Sequence, residues 1–204
     1  MREYHKIQSI YKRDEKGRFI IGQWSTPELE YLKDNEWVWT EKVDGTNIRI
    51  MWDADMNMLR FGGKTDNAQM PTFLYDRLVQ LFPVEKFVGR DSMCLYGEGY
   101  GRKIQKGGGL YNPNGVDFVL FDVKVGEWWL KRHVVEELAT ELEIRVVPIV
   151  STGTIAEAEE LVRLGFTSEW GDFTAEGLVL RPTVELKARN GERIITKIKH
   201  KDFK

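Results

Sequence analysis

Apolar residues in this chain recur mostly with a period of two, in short runs rich in Val, Ile, Trp and Phe broken by Gly, Asn and Asp. These runs predict strands over residues 37–43, 47–52, 58–61, 93–97 and 117–123, with further ones over 146–150, 178–181, 184–189 and 193–199. The 47–52 run alternates cleanly. Ile48, Ile50 and Trp52 share one face and Asn47, Arg49 and Met51 the other, the mark of a half-buried antiparallel strand. Three stretches follow the helical period instead. Residues 131–143 carry Val134, Val135, Leu138 and Leu142, residues 155–164 follow Thr154 with Glu157 at capping-box spacing, and residues 72–81 make a third helix. Asn190-Gly191 between two alternating runs predicts a hairpin with a type I′ turn. The sum is an antiparallel-sheet-rich α+β fold with a few flanking helices.

Length and charge narrow the class. The chain has 204 residues, 42% hydrophobic and 30% charged, enough for a substantial core as a soluble globular protein. With no repeat or linker, residues 1–204 read as one continuous unit. The single Cys94 excludes an internal disulfide framework, in keeping with a cytoplasmic setting, and Cys94 with three scattered His cannot build the usual zinc cage. No run approaches the ~20 apolar residues of a membrane span, and the N-terminus lacks the apolar centre of a signal peptide. A net charge of −2 argues against a bulk electrostatic DNA coat, so nucleic-acid contacts must come from local patches. One such patch is the segment from Lys187 to Lys204, with seven Lys/Arg.

The candidate chemistry lies at strand ends. Lys42 precedes the Asp44-Gly45 turn, Glu98 sits among Gly97, Gly99 and Gly101, and Asp122 interrupts an apolar strand. Glu176 stands at one strand entrance, while Lys197 and Lys199 share one face of the last strand. Two like charges side by side are costly unless an anion lies between them. One lysine, several carboxylates, aromatics and a cationic pair suit the binding of a nucleoside triphosphate with a divalent metal and attack on its α-phosphorus. An ammonium is no nucleophile, and bringing a lysine from ~10.4 to near neutrality costs about 4 kcal/mol, which burial and neighbouring cations supply.

In order along the chain, Lys42-Val43-Asp44-Gly45, Tyr96-Gly97-Glu98, Phe118 through Val123, Glu176 through Arg181 and Lys197-Ile198-Lys199 resemble the five motifs of the covalent nucleotidyltransferases, which comprise polynucleotide ligases and mRNA capping enzymes. The opening YHKIQSI, the KVDGTN around Lys42 and the closing TKIKHKDF resemble the phage RNA ligase 2-like branch. The resemblance implies the nucleotidyltransferase (adenylation) fold, of the ATP-grasp-like DNA/RNA ligase type, and an ATP-dependent RNA ligase acting in phage or host cytoplasm. It implies Lys42 as the adenylated residue and Glu98 as the ribose contact. It places Phe121 on adenine, and Lys197 and Lys199 on the α-phosphate. Glu176, with Glu98, would hold Mg2+ or Mn2+. Glu41, Asp44, Gly45 and Lys64 complete the nucleotide contacts. Asn47 and Arg49 would bind the 5′-phosphate end of RNA, alone or in a nicked duplex. Spacing alone does not separate adenine from guanine, so a DNA ligase, a GTP-using capping enzyme and a non-catalytic RNA-binding relative are the competing readings.

Arg181 stands where this family usually has lysine, keeping the charge with a different geometry. The resemblance also leads one to expect a monomer without the C-terminal OB-fold or helical domain of most relatives, with a partner protein in its place as one reading. Trp37 with Trp39, and Trp128 with Trp129, are expected to fill a core or an interface. Phe118 and Phe121 face opposite ways, one of them into the core, and Asp122 divides between metal-site support and a structural hydrogen bond.

Overall fold

The computed structural model describes residues 3–204. The fold is mixed α+β and dominated by antiparallel pairs, as the alternating pattern predicts. It divides into two compact units. Residues 6–43 and 148–204 form a terminal unit, and residues 3–5 and 44–147 a central unit. Among the described residues no helix is long and apolar enough to cross a membrane.

The terminal unit is built on a five-stranded sheet in the order Gln8–Ser9, Thr196–Lys199, Gly177–Pro182, Trp37–Glu41, Ile149–Gly153. Only the first pairing is parallel. Trp37, Trp39, Leu178, Leu180 and Ile198 point inward against Ile155, Ala158 and Val162 of the helix Ile155–Leu164. That helix starts where its sequence predicts. Thr154 Oγ1 accepts the Glu157 N–H, and the Glu157 carboxylate accepts the Thr154 N–H in return.

The central unit carries a sheet in the order Arg145–Val146, Val116–Val125, Met93–Gly101, Thr46–Asp53, Met58–Gly62, with Trp128–Trp129 added beside Val116–Val125. The helices Thr72–Leu81 and Arg132–Leu142 help cover it, and Ile48, Ile50, Trp52, Leu74, Leu78 and Phe118 lie in its core.

Several expectations are corrected. The 146–150 strand is split between the two units, because Pro148 has no N–H to continue a ladder. The Val147 N–H goes to Leu120 and the Pro148 carbonyl to the Glu41 N–H. The glycines of 97–101 do not end their strand, which runs on to Gly101 and puts Glu98 inside it rather than after it. The 184–189 strand is absent. A single bridge, Lys187 to Arg193, marks an arm whose Val184 and Leu186 are exposed. Its turn has a positive φ at Gly191 (84°) but not at Asn190, so it is not type I′. The 47–52 strand is covered on both faces rather than one, since Arg49 is fully buried. Trp37 and Trp39 are core residues as expected, whereas Trp128, after the Gly126 turn, is 78% exposed.

Thr154→Ala should lower unfolding stability by about 1 kcal/mol in urea titration. Hydrogen bonds from Thr154 hold the Glu157 carboxyl below its ordinary value of 4.5. Its contribution is therefore present above pH 4.5 and is lost as pH falls through the lowered value. Glu157→Gln should flatten that part of the acid-unfolding profile, and an unchanged profile would refute the assignment.

Candidate active site

In the terminal unit, the strand Trp37–Glu41 delivers Lys42 at its end, where the Lys42 N–H is held by the Gly177 carbonyl at 2.9 Å. From there Lys42 Nζ donates to Glu176 Oε2 at 2.6 Å, while Lys199 Nζ pairs with Glu176 Oε1 at 2.7 Å. The three side chains are 20%, 12% and 20% exposed, so the ion pairs are largely shielded. Lys197 follows the same alternation as Lys199, outward of the buried Thr196 and Ile198.

The backbone around Glu176 is clamped from both sides, since its carbonyl accepts the His200 N–H at 2.9 Å while Gly177 holds Lys42. Gly177 is required there. Its φ is +154°, and a Cβ would lie 2.0 Å from the Ile198 carbonyl oxygen. Glycine thus lets the strand bearing Lys199 approach the residue after Glu176.

Glu41 has another fate. It is 1% exposed, and its carboxylate accepts Ser168 Oγ–H at 2.5 Å and the Glu169 N–H at 2.9 Å. Its own N–H goes to Pro148. Its carboxylate ties down the loop that leads to Glu176.

In the central unit, Asp44-Gly45 turns into the strand Thr46–Asp53. A Cβ on Gly45 would fall 2.3 Å from the Gly99 carbonyl oxygen and 2.8 Å from Glu98 Cγ, so glycine makes room for the strand that carries Glu98. Glu98 pairs in register with Asn47. Phe121 is the extra residue of a β-bulge, because Leu120 faces Gly97 and Asp122 faces Tyr96. The bulge turns Phe121 out of the packed row, leaving it half-buried, edge-on to Tyr4 at 5.0 Å, while Phe118 enters the core. Asp122 is buried and accepts the Tyr4 hydroxyl at 2.5 Å, a structural hydrogen bond. Burial pushes the Cys94 thiol and the Tyr96 phenol up, so both stay neutral on this strand.

Arg49 is 1% exposed, with Nε donating to the Gly63 carbonyl at 2.8 Å and Nη2 to Asp66 at 2.7 Å. It pins the loop on which Lys64 is exposed. Two buried polar atoms, Asn47 Oδ1 and Arg49 Nη1, have no partner in the protein, and their side chains share one strand face. Neither Tyr4 nor Ser168 was assigned a role from sequence. Their partners lie 118 and 127 residues away, and no local pattern signals such pairings.

A family model described as RNA ligase matches residues 35–199. No curated protein matches the chain in sequence. Among solved structures, Naegleria gruberi RNA ligase, in an arginine-to-alanine variant with ATP and Mn, aligns over 99% of this chain and 59% of its own, with 19% identity and a TM-score of 0.72. The same ligase with PPi aligns over 98% and 62%, with 20% identity and a TM-score of 0.67. The chain thus spans less than two-thirds of these structures, and the likeness is one of fold.

Gly177→Ala should cost about 2–3 kcal/mol in urea unfolding, as overpacked backbone must move apart. Gly89→Ala, also at positive φ (83°) but in open space, should cost only about 1 kcal/mol. Equal losses would contradict the close approach.

Proposed function

We propose that this chain, which belongs to the RNA ligase family, carries out the nucleotide-transfer chemistry of an ATP-dependent RNA ligase with Lys42 as nucleophile. The observation that carries this reading is the Glu176 carboxylate shared between Lys42 and Lys199. In the resting geometry Lys42 is ion-paired and therefore an ammonium. Its proton has one acceptor in place, Glu176 Oε2 at 2.6 Å. Once neutral, Nζ attacks the α-phosphorus of ATP. The N–P bond forms, the P–O bond to the β-phosphate breaks, and pyrophosphate leaves. Lys199 and Lys197 supply positive charge for the phosphate oxygens. An RNA 5′-phosphate oxygen then takes the AMP from Lys42. A 3′-hydroxyl finally attacks the 5′-phosphorus, forming the phosphodiester and releasing AMP.

The remaining assignments follow from the central unit. Half-buried Phe121 offers a ring for the base, with Glu98 for the ribose. The unpaired Asn47 Oδ1 and Arg49 Nη1 suit an RNA end, which carries a hydroxyl donor and phosphate acceptors together. No three acidic, thiol or imidazole side chains converge among the described residues. A magnesium or manganese ion would be held by Glu176, with Glu98 as the second carboxylate of the reading, and would rely on substrate oxygens for further ligands, as a hard cation requires. When bound, it neutralises the polyphosphate and its leaving group.

Incubation with α-labelled ATP and Mg2+ should leave label on the chain in a denaturing gel. Lys42→Ala should abolish the label, and Glu176→Ala should slow labelling by about 100-fold. Asn47→Ala should be labelled normally yet seal pre-adenylated RNA more slowly. An unlabelled chain, or a band that survives Lys42→Ala, would remove the mechanism, and labelling by GTP alone would move it to the capping enzymes.

A further inference from the structure

The segment between the strand Met93–Gly101 and the helix Gly108–Tyr111 reads Arg102-Lys103-Ile104-Gln105-Lys106, and no motif of the proposed reaction uses it. Two side-chain contacts fix it. Ile104 is 4% exposed and belongs to the central core, and Gln105 Nε2 donates to the Gly45 carbonyl at 3.2 Å. Its base is closed by the Arg102 N–H, which bonds the Gly115 carbonyl at 2.8 Å. Lys103 and Gln105 have φ of 68° and 54°, two of four non-glycine residues at positive φ among those described. A Cβ resists that region, so the fold sustains strain here to keep the loop's path.

That path turns Ile104 inward and leaves Arg102, Lys103 and Lys106 exposed. No ion pair is found for any of the three among the described residues. Exposed Arg18 meets a carboxylate, whereas exposed Lys12, Lys16, Lys187 and Arg189 also have no ion pair among the described residues, so what marks this loop is three such charges within five residues on a fixed path. Three uncompensated positive charges within five residues, on a loop held in a strained path, call for a polyanion.

Resting on the RNA ligase reading, we infer that the loop 102–106 is a contact for the RNA sugar-phosphate backbone, with Lys103 and Lys106 on successive phosphates. The loop is anchored to Gly45, two residues from Asn47 on the same strand-turn, which ties it to the proposed RNA-end contacts. Exposed side chains with separate ammonium heads suit a run of phosphates along a strand, and contacts of this kind position the strand without reading its bases.

The test uses the full chain with Lys103→Ala/Lys106→Ala and, as a charge-keeping control, Lys103→Arg/Lys106→Arg. Binding of a fluorescent 5′-phosphorylated RNA is followed by anisotropy across roughly 50 to 200 mM KCl. The alanine pair should bind about tenfold more weakly at the low-salt end, with the salt slope reduced by about 1.4, two contacts at ~0.7 each. The arginine pair should restore both. Self-adenylation by ATP should stay within about twofold of the parent chain, which also reports that the variant folds. Unchanged RNA affinity and slope in the alanine pair overturn the inference. So does a raised ATP requirement for self-adenylation with RNA binding intact, which would assign the loop to the triphosphate. A parent chain that neither labels nor binds RNA overturns the function reading itself, a distinguishable failure.

Discussion

The terminal unit holds two cationic side chains against one acidic one. Glu176 offers one carboxylate to two ammonium groups, at 2.6 and 2.7 Å. Bringing Lys42 and Lys199 this near each other without an intervening anion would be repulsive, and shielding from water makes that repulsion larger. The carboxylate makes this geometry tolerable. The same hydrogen bond holds the Lys42 ammonium head in place.

Holding that carboxylate in place is a backbone problem, and the sheet solves it. Glu176 sits where the Gly177–Pro182 strand begins, between the strand that ends next to Lys42 and the strand that ends on Lys199. Both neighbours bond to the Glu176-Gly177 pair through main-chain groups, so the side chains that meet there inherit the register of three strands. Register in a sheet with one buried face is strongly specified, because a one-residue slip would send Leu178, Leu180 and Ile198 outward. The packing of Thr196 and Ile198 therefore fixes Lys197 and Lys199 on the opposite face. Core and chemistry are coupled through period two.

How much of this was legible in the sequence depends on the range of the interaction. The Lys197/Lys199 face, the Thr154–Glu157 cap and the helix Ile155–Leu164 rest on neighbours within four residues, and the period or spacing exposes each of them. Trp128, Arg49 and the 146–150 run do not yield to the same logic. An alternating strand has a polar face whether or not a loop covers it. The burial of Arg49 depends on Gly63 and Asp66, which the 47–52 pattern cannot see. Pro148 was a visible break inside 146–150, and its missing N–H was the signal that the run would divide. The bulge at Phe121 left no trace in composition, since it is a mismatch of length between two partners rather than a property of either strand.

Glu41 and Glu176 show why a motif is a weaker statement than a site. Both are carboxylates beside key residues, one preceding Lys42 in the chain and the other meeting it in space. Leu178 pairs with Glu41, placing the two glutamates on adjacent strands two residues apart in register. Yet Glu41 accepts a serine hydroxyl and a backbone N–H and holds a loop, whereas Glu176 meets two ammonium groups. A buried carboxylate that accepts hydrogen bonds inside the protein is costly to pull away from them, because leaving would strand a buried charge. One shared between two cations at a partly open site can be drawn to a third partner at little cost. That difference, set by Ser168 on one side and Lys199 on the other, separates a carboxylate tied to a loop from one shared between two cations.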